Sequence, residues 1–262
     1  MDSPTYALVT GASRGLGKRF AQALAARKRN LVLVARSLDK LEAVAAELRT
    51  SFGVLAQPLA FDLAHPMAGQ RLASELLERK FSIDLLVNNA GFGIRGEFWK
   101  LPLDRQLEIL HLHQAGVVEL TFRLLPAMLA AGSGAIINVS STAAFQPIPY
   151  AAAYAAIKSF VASFSLALAE ELRPYGVKVV TVCPGRLRPD SQTDDRPKTG
   201  RSFMGVEQSA EEVVRESLRA LDHHGGLVIP GMINKSVALA ERLIPRTVVP
   251  KLVAKLSRPR SV

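Results

Sequence analysis

Tyr154 and Lys158 stand four residues apart in a segment, 151–173, whose apolar spacing predicts a helix, so the two side chains share one face. A phenol with a pKa of about 10 is a poor acid or base at neutral pH, but a neighbouring ammonium stabilises its anion and lowers that value. Ser141 closes a predicted strand over 135–140 and so places a hydroxyl at a strand end, where open α/β sheets bind ligands. A phenol, an ammonium and a hydroxyl together suit proton transfer to an oxygen that gains negative charge, as when hydride reaches a carbonyl carbon. Taken alone, the pair reads more simply as a half-buried helical tyrosine beside a surface lysine. Its meaning comes from other segments that accompany it in order along the chain.

The first of these is Thr10-Gly11-Ala12-Ser13-Arg14-Gly15-Leu16-Gly17, between a predicted strand (6–10) and a predicted helix (15–28). Glycines there let the backbone pass close to a pyrophosphate, and the helix N-terminus offers unpaired N–H groups and the positive end of the dipole. A plain tight turn is the alternative; the strand before and the helix after are the context a dinucleotide loop requires. The second strand ends Leu33-Val34-Ala35-Arg36-Ser37 without the acid that accepts from the adenosine ribose of NAD. Arg36 could instead fork onto a 2′-phosphate, with Arg14 approaching from the glycine loop, although either could be a solvated surface arginine. The missing acid and the two arginines together point to NADP(H). Asp62, followed by Leu63, could accept from the adenine amino group or simply cap a turn. Asn88-Asn89-Ala90-Gly91 ends the fourth strand, where two amides can tie neighbouring strands and leave backbone exposed to a ribose.

Short apolar runs alternate with longer amphipathic ones, the pattern of βαβ units and a parallel sheet. The predicted strands are 6–10, 30–34, 54–61, 85–88, 135–140, 177–183 and 227–230; the predicted helices are 15–28, 38–50, 67–79, 103–131, 151–173 and 209–222. The strands are nearly continuous apolar runs, as expected where helices cover both faces.

These motifs give the chain its resemblance to the short-chain dehydrogenase/reductases over roughly residues 5–230. TGxxxGxG runs from Thr10 to Gly17, NNAG from Asn88 to Gly91, and the serine stands at Ser141, thirteen residues before Tyr154. YxxxK spans Tyr154 to Lys158, and Pro184-Gly185 follows the sixth strand. The resemblance implies a three-layer, doubly wound α/β Rossmann fold with a seven-stranded parallel sheet, binding a nicotinamide cofactor. It implies that Tyr154 exchanges the substrate proton, that Lys158 holds the nicotinamide ribose and lowers the Tyr154 pKa, and that Ser141 polarises the substrate oxygen. Cofactor contacts are expected from Thr10, Gly11, Ser13, Arg14, Gly15, Leu16, Gly17, Arg36, Asp62, Leu63, Asn89, Ala90, Gly91, Pro184 and Gly185, besides Tyr154 and Lys158.

Two departures stand out. Where relatives usually carry a proton-relay Asn, this chain has His113, which could support a water relay, titrate itself, or mark the relay's absence. His111 and His113 are two apart on a helix and do not share a face, so a metal pair is not expected. Where relatives often place a Thr four residues beyond the Gly of Pro184-Gly185, Pro189 stands, with Ser191 and Thr193 as stand-ins. An NADPH-dependent carbonyl reductase acting on a hydrophobic ketone, aldehyde or 3-oxoacyl substrate is the expected function. A cofactor-binding sensor or scaffold without useful turnover is the alternative suggested by His113 and Pro189.

At 262 residues the chain suits one domain, expected over 1–231 with a basic extension over 232–262. Lys and Arg number 33 against 23 acids, a net charge of +10, which suggests an anionic partner. Seven basic residues and one acid, Glu241, lie beyond Gly231, among apolar Leu239, Leu243, Val248, Leu252 and Leu256; Pro245 and Pro250 are expected to break that stretch. Packing on the domain is the plainer expectation for it, with peripheral membrane contact or cover of the active-site mouth as alternatives. No nucleic-acid module is recognisable, so none is expected as partner. No apolar run approaches the length of a bilayer span and the first strand begins almost at once, so a cytoplasmic (cytosolic) location is expected. The helices at 103–131 and 151–173 are expected to form a homodimer. The polar segment 186–206 is expected to be a lid over the substrate, and the single cysteine, Cys183, a small buried hydrophobe.

Overall fold

The computed structural model describes residues 4–188, 207–241, 245 and 247–257. Strands and helices alternate: β1 (Thr5–Thr10), α1 (Gly15–Ala26), β2 (Asn30–Ala35), α2 (Leu38–Phe52), β3 (Ala56–Ala60), α3 (Ala68–Glu78) and β4 (Ser82–Asn88) form the first half. The second half holds α4 (Leu103–Leu110), α5 (Gly116–Ala130), β5 (Gly134–Val139), α6 (Ala152–Leu172), β6 (Val177–Val182), α7 (Ala210–Asp222), β7 (Gly226–Val228), α8 (Met232–Glu241) and α9 (Val249–Ser257). The sheet order is β3-β2-β1-β4-β5-β6-β7, every pair parallel. The chain starts near the middle, winds outward to β3, and returns across β1 to wind the other way. That reversal opens a crevice beyond the carboxyl ends of β1 and β4.

Alternation along each strand builds the three layers. Ala7 and Val9 of β1, Leu31 and Leu33 of β2, and Leu85 and Val87 of β4 face α1, α2 and α7, where Phe20, Leu24, Leu41, Leu48 and Val213 fill the space. The intervening Leu8, Val32, Val34 and Leu86 face α3, α5 and α6, against Leu72, Leu76, Leu120 and Leu168. Each such side chain contributes roughly 1.5–3 kcal/mol by leaving water. The helix ends follow local chemistry. Gly53 stops α2 in a left-handed conformation (φ +67°), its N–H donating to Arg49 O. Ser209 starts α7, its hydroxyl accepting from Glu212 N at 3.1 Å.

Four expectations change. The predicted helix 103–131 is two helices joined by a π-turn, His111–Ala115, a widening that turns His113 inward while His111 stays exposed. Pro250 does not break the chain; it occupies the first turn of α9, where its missing N–H costs nothing. Beyond Gly231 the apolar positions that catch the eye, Leu239, Val248 and Leu252, are exposed, and the buried ones are Ala238, Val249 and Val253. Finally, one helix, Ala152–Tyr175, is long and apolar enough by length and composition to cross a membrane, where no such segment was expected. In the fold it lies against β5 and β6 and buries Lys158.

A buried polar chain stitches the middle of the sheet to α6. Asn88 Nδ2 donates to Asn138 Oδ1 (2.8 Å), Asn138 Nδ2 donates to Ser165 Oγ (2.8 Å), and Ser165 Oγ donates to Val161 O (2.6 Å). Asn138→Ala strands a donor on β4 and removes the donor to Ser165, so a loss of about 2 kcal/mol or more is expected in urea unfolding, with the midpoint shifted at unchanged m-value.

Candidate active site

The carboxyl ends of β1, β4, β5 and β6 bring the motifs together. Thr10 Oγ1 donates to Val87 O at 3.1 Å and accepts from Asn89 N and Ala90 N, both at 2.9 Å. Asn89 Nδ2 returns a bond to Thr10 O (2.9 Å). The glycine loop is thus anchored to β4 through one hydroxyl and one amide. A Cβ on Gly17 would sit 2.2 Å from Gly11 O and one on Gly11 2.9 Å from Ala90 Cα, so both glycines are required by close approach. Gly15 differs: at φ +55° a Cβ would meet nothing within 4 Å, which leaves room in front of α1. Arg14, at the N-cap of α1, supplies no side-chain bond to the helix, so the first N–H groups remain for an anion.

Ser13 and Leu16 belong to the same turn, Leu16 buried beneath it. Arg14 is exposed, and the Arg36 side chain is 65% exposed with Glu108 Oε1 3.9 Å away. Asp62 makes a turn with Oδ1, accepting from Ala64 N at 3.0 Å, while Leu63 is buried. Pro184 is buried. The N–H of Gly185 donates to Gln208 Oε1 (2.9 Å), and Gln208 also pairs with Arg186 and Arg188 through its backbone, pinning both ends of the segment read as a lid. Pro189, Ser191, Thr193 and the rest of 189–206 lie outside the described residues, as do Leu243, Arg242, Arg246, Arg258 and Arg260.

At the chemical centre Lys158 is buried at 5% exposure. Its ammonium donates to Val139 O (2.9 Å) and to His113 Nδ1 (3.2 Å), leaving one of its three donors for a ligand. Burial pulls its pKa down to about 8. It lies 5.8 Å from the centroid of the Tyr154 ring, so its charge favours the phenolate. Ser141 Oγ accepts from Ala143 N at 3.1 Å and reaches Pro184 O only at 3.5 Å, a bond long enough to yield its proton to a better acceptor. Ser140, its neighbour, ties β5 to α6 by donating to Lys158 O at 2.7 Å.

His113 is the departure that the geometry explains. Burial, then the adjacent Lys158 charge, push its pKa down to about 3, so the ring is neutral. In that state Nε2–H donates to Phe92 O at 3.2 Å and Nδ1 accepts from Lys158. The ring therefore carries no charge near neutrality. Gly91 exists to admit it: a Cβ there would be 2.0 Å from His113 Cε1. Cys183 is buried beside Ser140 and Ser141, its thiol pushed up to about 11 by burial and so inert. Among the described residues no group of three or more His, Cys, Asp or Glu is placed to hold a metal ion.

The walls are apolar. Val249 and Val253 of α9 pack on Ala143, Ile148 and Ala155, with Tyr154 against the same cluster. Ile94, Phe98, Leu101 and Tyr150 line a second cleft beside the start of α6. Tyr150 takes a left-handed conformation (φ +67°) that turns its carbonyl to Gly96 N (2.8 Å), fixing the loop opposite Tyr154. Val249 and Val253 belong to the extension for which cover of the active-site mouth was one of the alternatives, whereas Gln208 was not legible as part of this site. The only signal for Gln208 is a polar residue before an N-cap serine, which is too common to read.

Residues 5–200 match the family described as short chain dehydrogenase. The chain belongs to the short-chain dehydrogenases. It is 33% identical over 205 residues to a very-long-chain 3-oxoacyl-CoA reductase of Phaeosphaeria nodorum, covering 74% of this chain and 60% of that relative's length. Among solved structures, a 7beta-hydroxysteroid dehydrogenase superposes with a TM-score of 0.86 at 24% identity, covering 95% of this chain and 96% of that one, and shares the fold. A short-chain dehydrogenase from Sphingobium yanoikuyae, in complex with NADPH, superposes with a TM-score of 0.78 at 28% identity over 99% of both chains. The seven-stranded parallel sheet between two helical layers is thus the arrangement the motifs implied for this family.

The neutral state of His113 has a pH signature. Below pH 6.5 the unfolded chain binds a proton at this residue that the folded chain refuses down to about pH 3, so stability falls with pH across that window. The gap between the native chain and His113→Asn should therefore narrow by about 2 kcal/mol from pH 6.5 to 5 in urea titrations. Parallel losses would mean that the folded imidazole is protonated.

Proposed function

We propose that the chain is an NADPH-dependent oxidoreductase that reduces a hydrophobic 3-oxoacyl thioester, with Tyr154 as the acid. The observation that carries this reading is the gathering of Ser141, Tyr154 and a buried Lys158 at the sheet's carboxyl edge, next to the open glycine loop of α1. The loop fits a dinucleotide: Gly15 leaves space and α1 leaves its first N–H groups uncapped. Thr10, Gly11, Ser13, Gly15, Leu16 and Gly17 would hold the diphosphate, Asn89, Ala90, Gly91 and Lys158 the nicotinamide half, and Arg14 and Arg36 a 2′-phosphate. Asp62 and Leu63 would border the adenine, and Pro184 and Gly185 the nicotinamide. A bound nicotinamide cofactor supplies the hydride. Ser141 donates a hydrogen bond to the substrate oxygen, and Tyr154 passes it a proton as negative charge develops. Lys158 keeps the resulting phenolate accessible at neutral pH, and His113 positions Lys158 by accepting a hydrogen bond from its ammonium.

The exposed Arg36, the lack of an acid at the end of β2 and the NADPH-bound neighbour support NADPH over NADH. The apolar walls from α9 and the 94–101 segment, with the name carried by the Phaeosphaeria relative, support a 3-oxoacyl substrate among hydrophobic carbonyl compounds. The sensor alternative loses one of its two grounds, because His113 anchors Lys158 instead of displacing it. Consumption of NADPH with 3-oxoacyl thioesters and ketones tests the reading: Tyr154→Phe should lower kcat by about 10²–10⁴-fold while NADPH binding persists. NADPH binding without turnover, or indifference to Tyr154→Phe, overturns it.

The outer faces of α4, α5 and α6 expose Leu107, Phe122, Phe160 and Leu166. We propose that a second copy of the chain covers them, since two phenylalanines and two leucines are left in water on these helices. Light scattering behind size exclusion should give a dimer that Phe122→Glu splits; a monomeric native chain removes the proposal.

A further inference from the structure

The two helices beyond Gly231 each have an inner and an outer face. Inward, Asn234 and Ala238 of α8 border Thr142 and Gln146 of the turn after Ser141, and Val249 and Val253 of α9 pack on Ala143, Ile148 and Ala155. Outward, α8 exposes Met232, Ile233, Val237 and Leu239, with Met232 at 87%, and Val248 and Leu252 are exposed where α9 begins. At about 100° per residue the four on α8 form one stripe, with Lys235 at its edge. Lys251 stands beside Val248 and Leu252 in the same way, and both lysines are exposed. The 98–103 segment adds a second apolar rim, since Phe98, Trp99 and Leu103 are exposed, Trp99 at 76%. One turn joins the two surfaces. Gly96 N donates to Tyr150 O, Phe98 and Leu101 line a cleft with Ala151, and Ala151 also packs against the cluster that holds Val249 and Val253. Both sets of exposed apolar side chains therefore border the turn that leads into Tyr154.

We propose that this surface docks on the face of an anionic lipid bilayer. The stripe of α8, Val248, Leu252 and the 98–103 rim enter the headgroup layer, and the lysines meet its phosphates. Charge selects the occupant. Seven basic residues against one acid lie beyond Gly231, so a second copy of the chain would set like charge against like. The 98–103 rim offers no counterweight, because Lys100 and Glu97 pair with each other. A nucleic acid would take the positive charge and leave the aliphatic stripe of α8 in water. A bilayer surface satisfies both demands: the acyl boundary takes the apolar side chains, anionic headgroups take the cations, and a tryptophan suits the interface. The helices lie on the membrane and do not cross it. α8 has ten residues and α9 nine, about half of what a crossing needs. Their inner faces stay packed on the site, so docking requires no unfolding. The proposal stands on exposure and charge, and not on the reductase reading.

The test is co-sedimentation of the full chain with phosphatidylcholine vesicles, with and without phosphatidylglycerol. It is read together with the emission of Trp99, the single tryptophan of the chain. The native chain should bind the anionic vesicles and shift its emission to shorter wavelength as it does so. Most of that binding should be lost without phosphatidylglycerol or at high salt. Ile233→Glu and Leu252→Glu should each weaken binding about ten-fold, the scale of one large aliphatic side chain kept in water. Lys235→Gln and Lys251→Gln should each weaken it roughly five-fold. All four positions are exposed, and circular dichroism checks that the variants fold. No binding by the native chain, binding that the variants leave unchanged, or binding without a shift in emission overturns the docking surface. Self-association that Ile233→Glu and Leu252→Glu abolish, without vesicle binding, overturns it too and gives the face to a second copy. Neither readout needs cofactor or substrate, so vesicle binding by a chain that reduces nothing upholds the docking and sinks only the reductase reading.

Discussion

The architecture of the site depends on keeping one ammonium, that of Lys158, charged in a place where water cannot reach it. Burial costs a lysine dearly unless acceptors replace its hydration. Here the replacements are a main-chain carbonyl at the end of β5 and an imidazole nitrogen from the π-turn. Each comes from a different element, and each is itself fixed: Val139 by the β5–β6 ladder, His113 by Phe92 O. Remove either and the ammonium retreats toward solvent or gives up its proton, and the charge 5.8 Å from the Tyr154 ring is lost.

Around that centre the sheet acts as a positioning device. Parallel pairing with one crossover reversal brings the ends of β1, β4, β5 and β6 to the same edge, although their residues are far apart in sequence. Side-chain bonds then take over where the ladders stop. Thr10 with Asn89 fixes the glycine loop to β4, and Asn88, Asn138 and Ser165 fix β4 and β5 to the helix that carries Tyr154. The main polar anchors of the site are therefore short Thr, Asn and Ser side chains, which hold their geometry at little entropic cost.

Much of this was legible in the sequence, because the physics behind it is local. Apolar runs in alternation, glycines before a helix, and Tyr–Lys at one helical turn each follow from a short window of residues. The π-turn was not legible: a 3.6-residue period passes through His111–Ala115 unbroken, and the bond from Lys158 to His113 joins residues 45 apart, beyond any local window. Asn138 was expected within a strand and Asn234 carried no expectation of burial; both are among the most buried polar side chains of the described residues. The segment after β7 misled for a related reason. Hydrophobic patterning assumes that apolar faces turn inward, whereas α8 buries Asn234 and Ala238 and exposes Met232, Ile233, Val237 and Leu239.

The fit between Gly91 and His113 has a consequence for how such a site can change. The imidazole occupies the space that any side chain at position 91 would need. A substitution at 91 is thus ruinous while His113 is present and becomes tolerable once a smaller residue stands at 113. The two positions form a one-way gate in sequence space: the histidine must leave first, and while it stays it holds the glycine of the NNAG segment in place more firmly than the cofactor loop alone would demand.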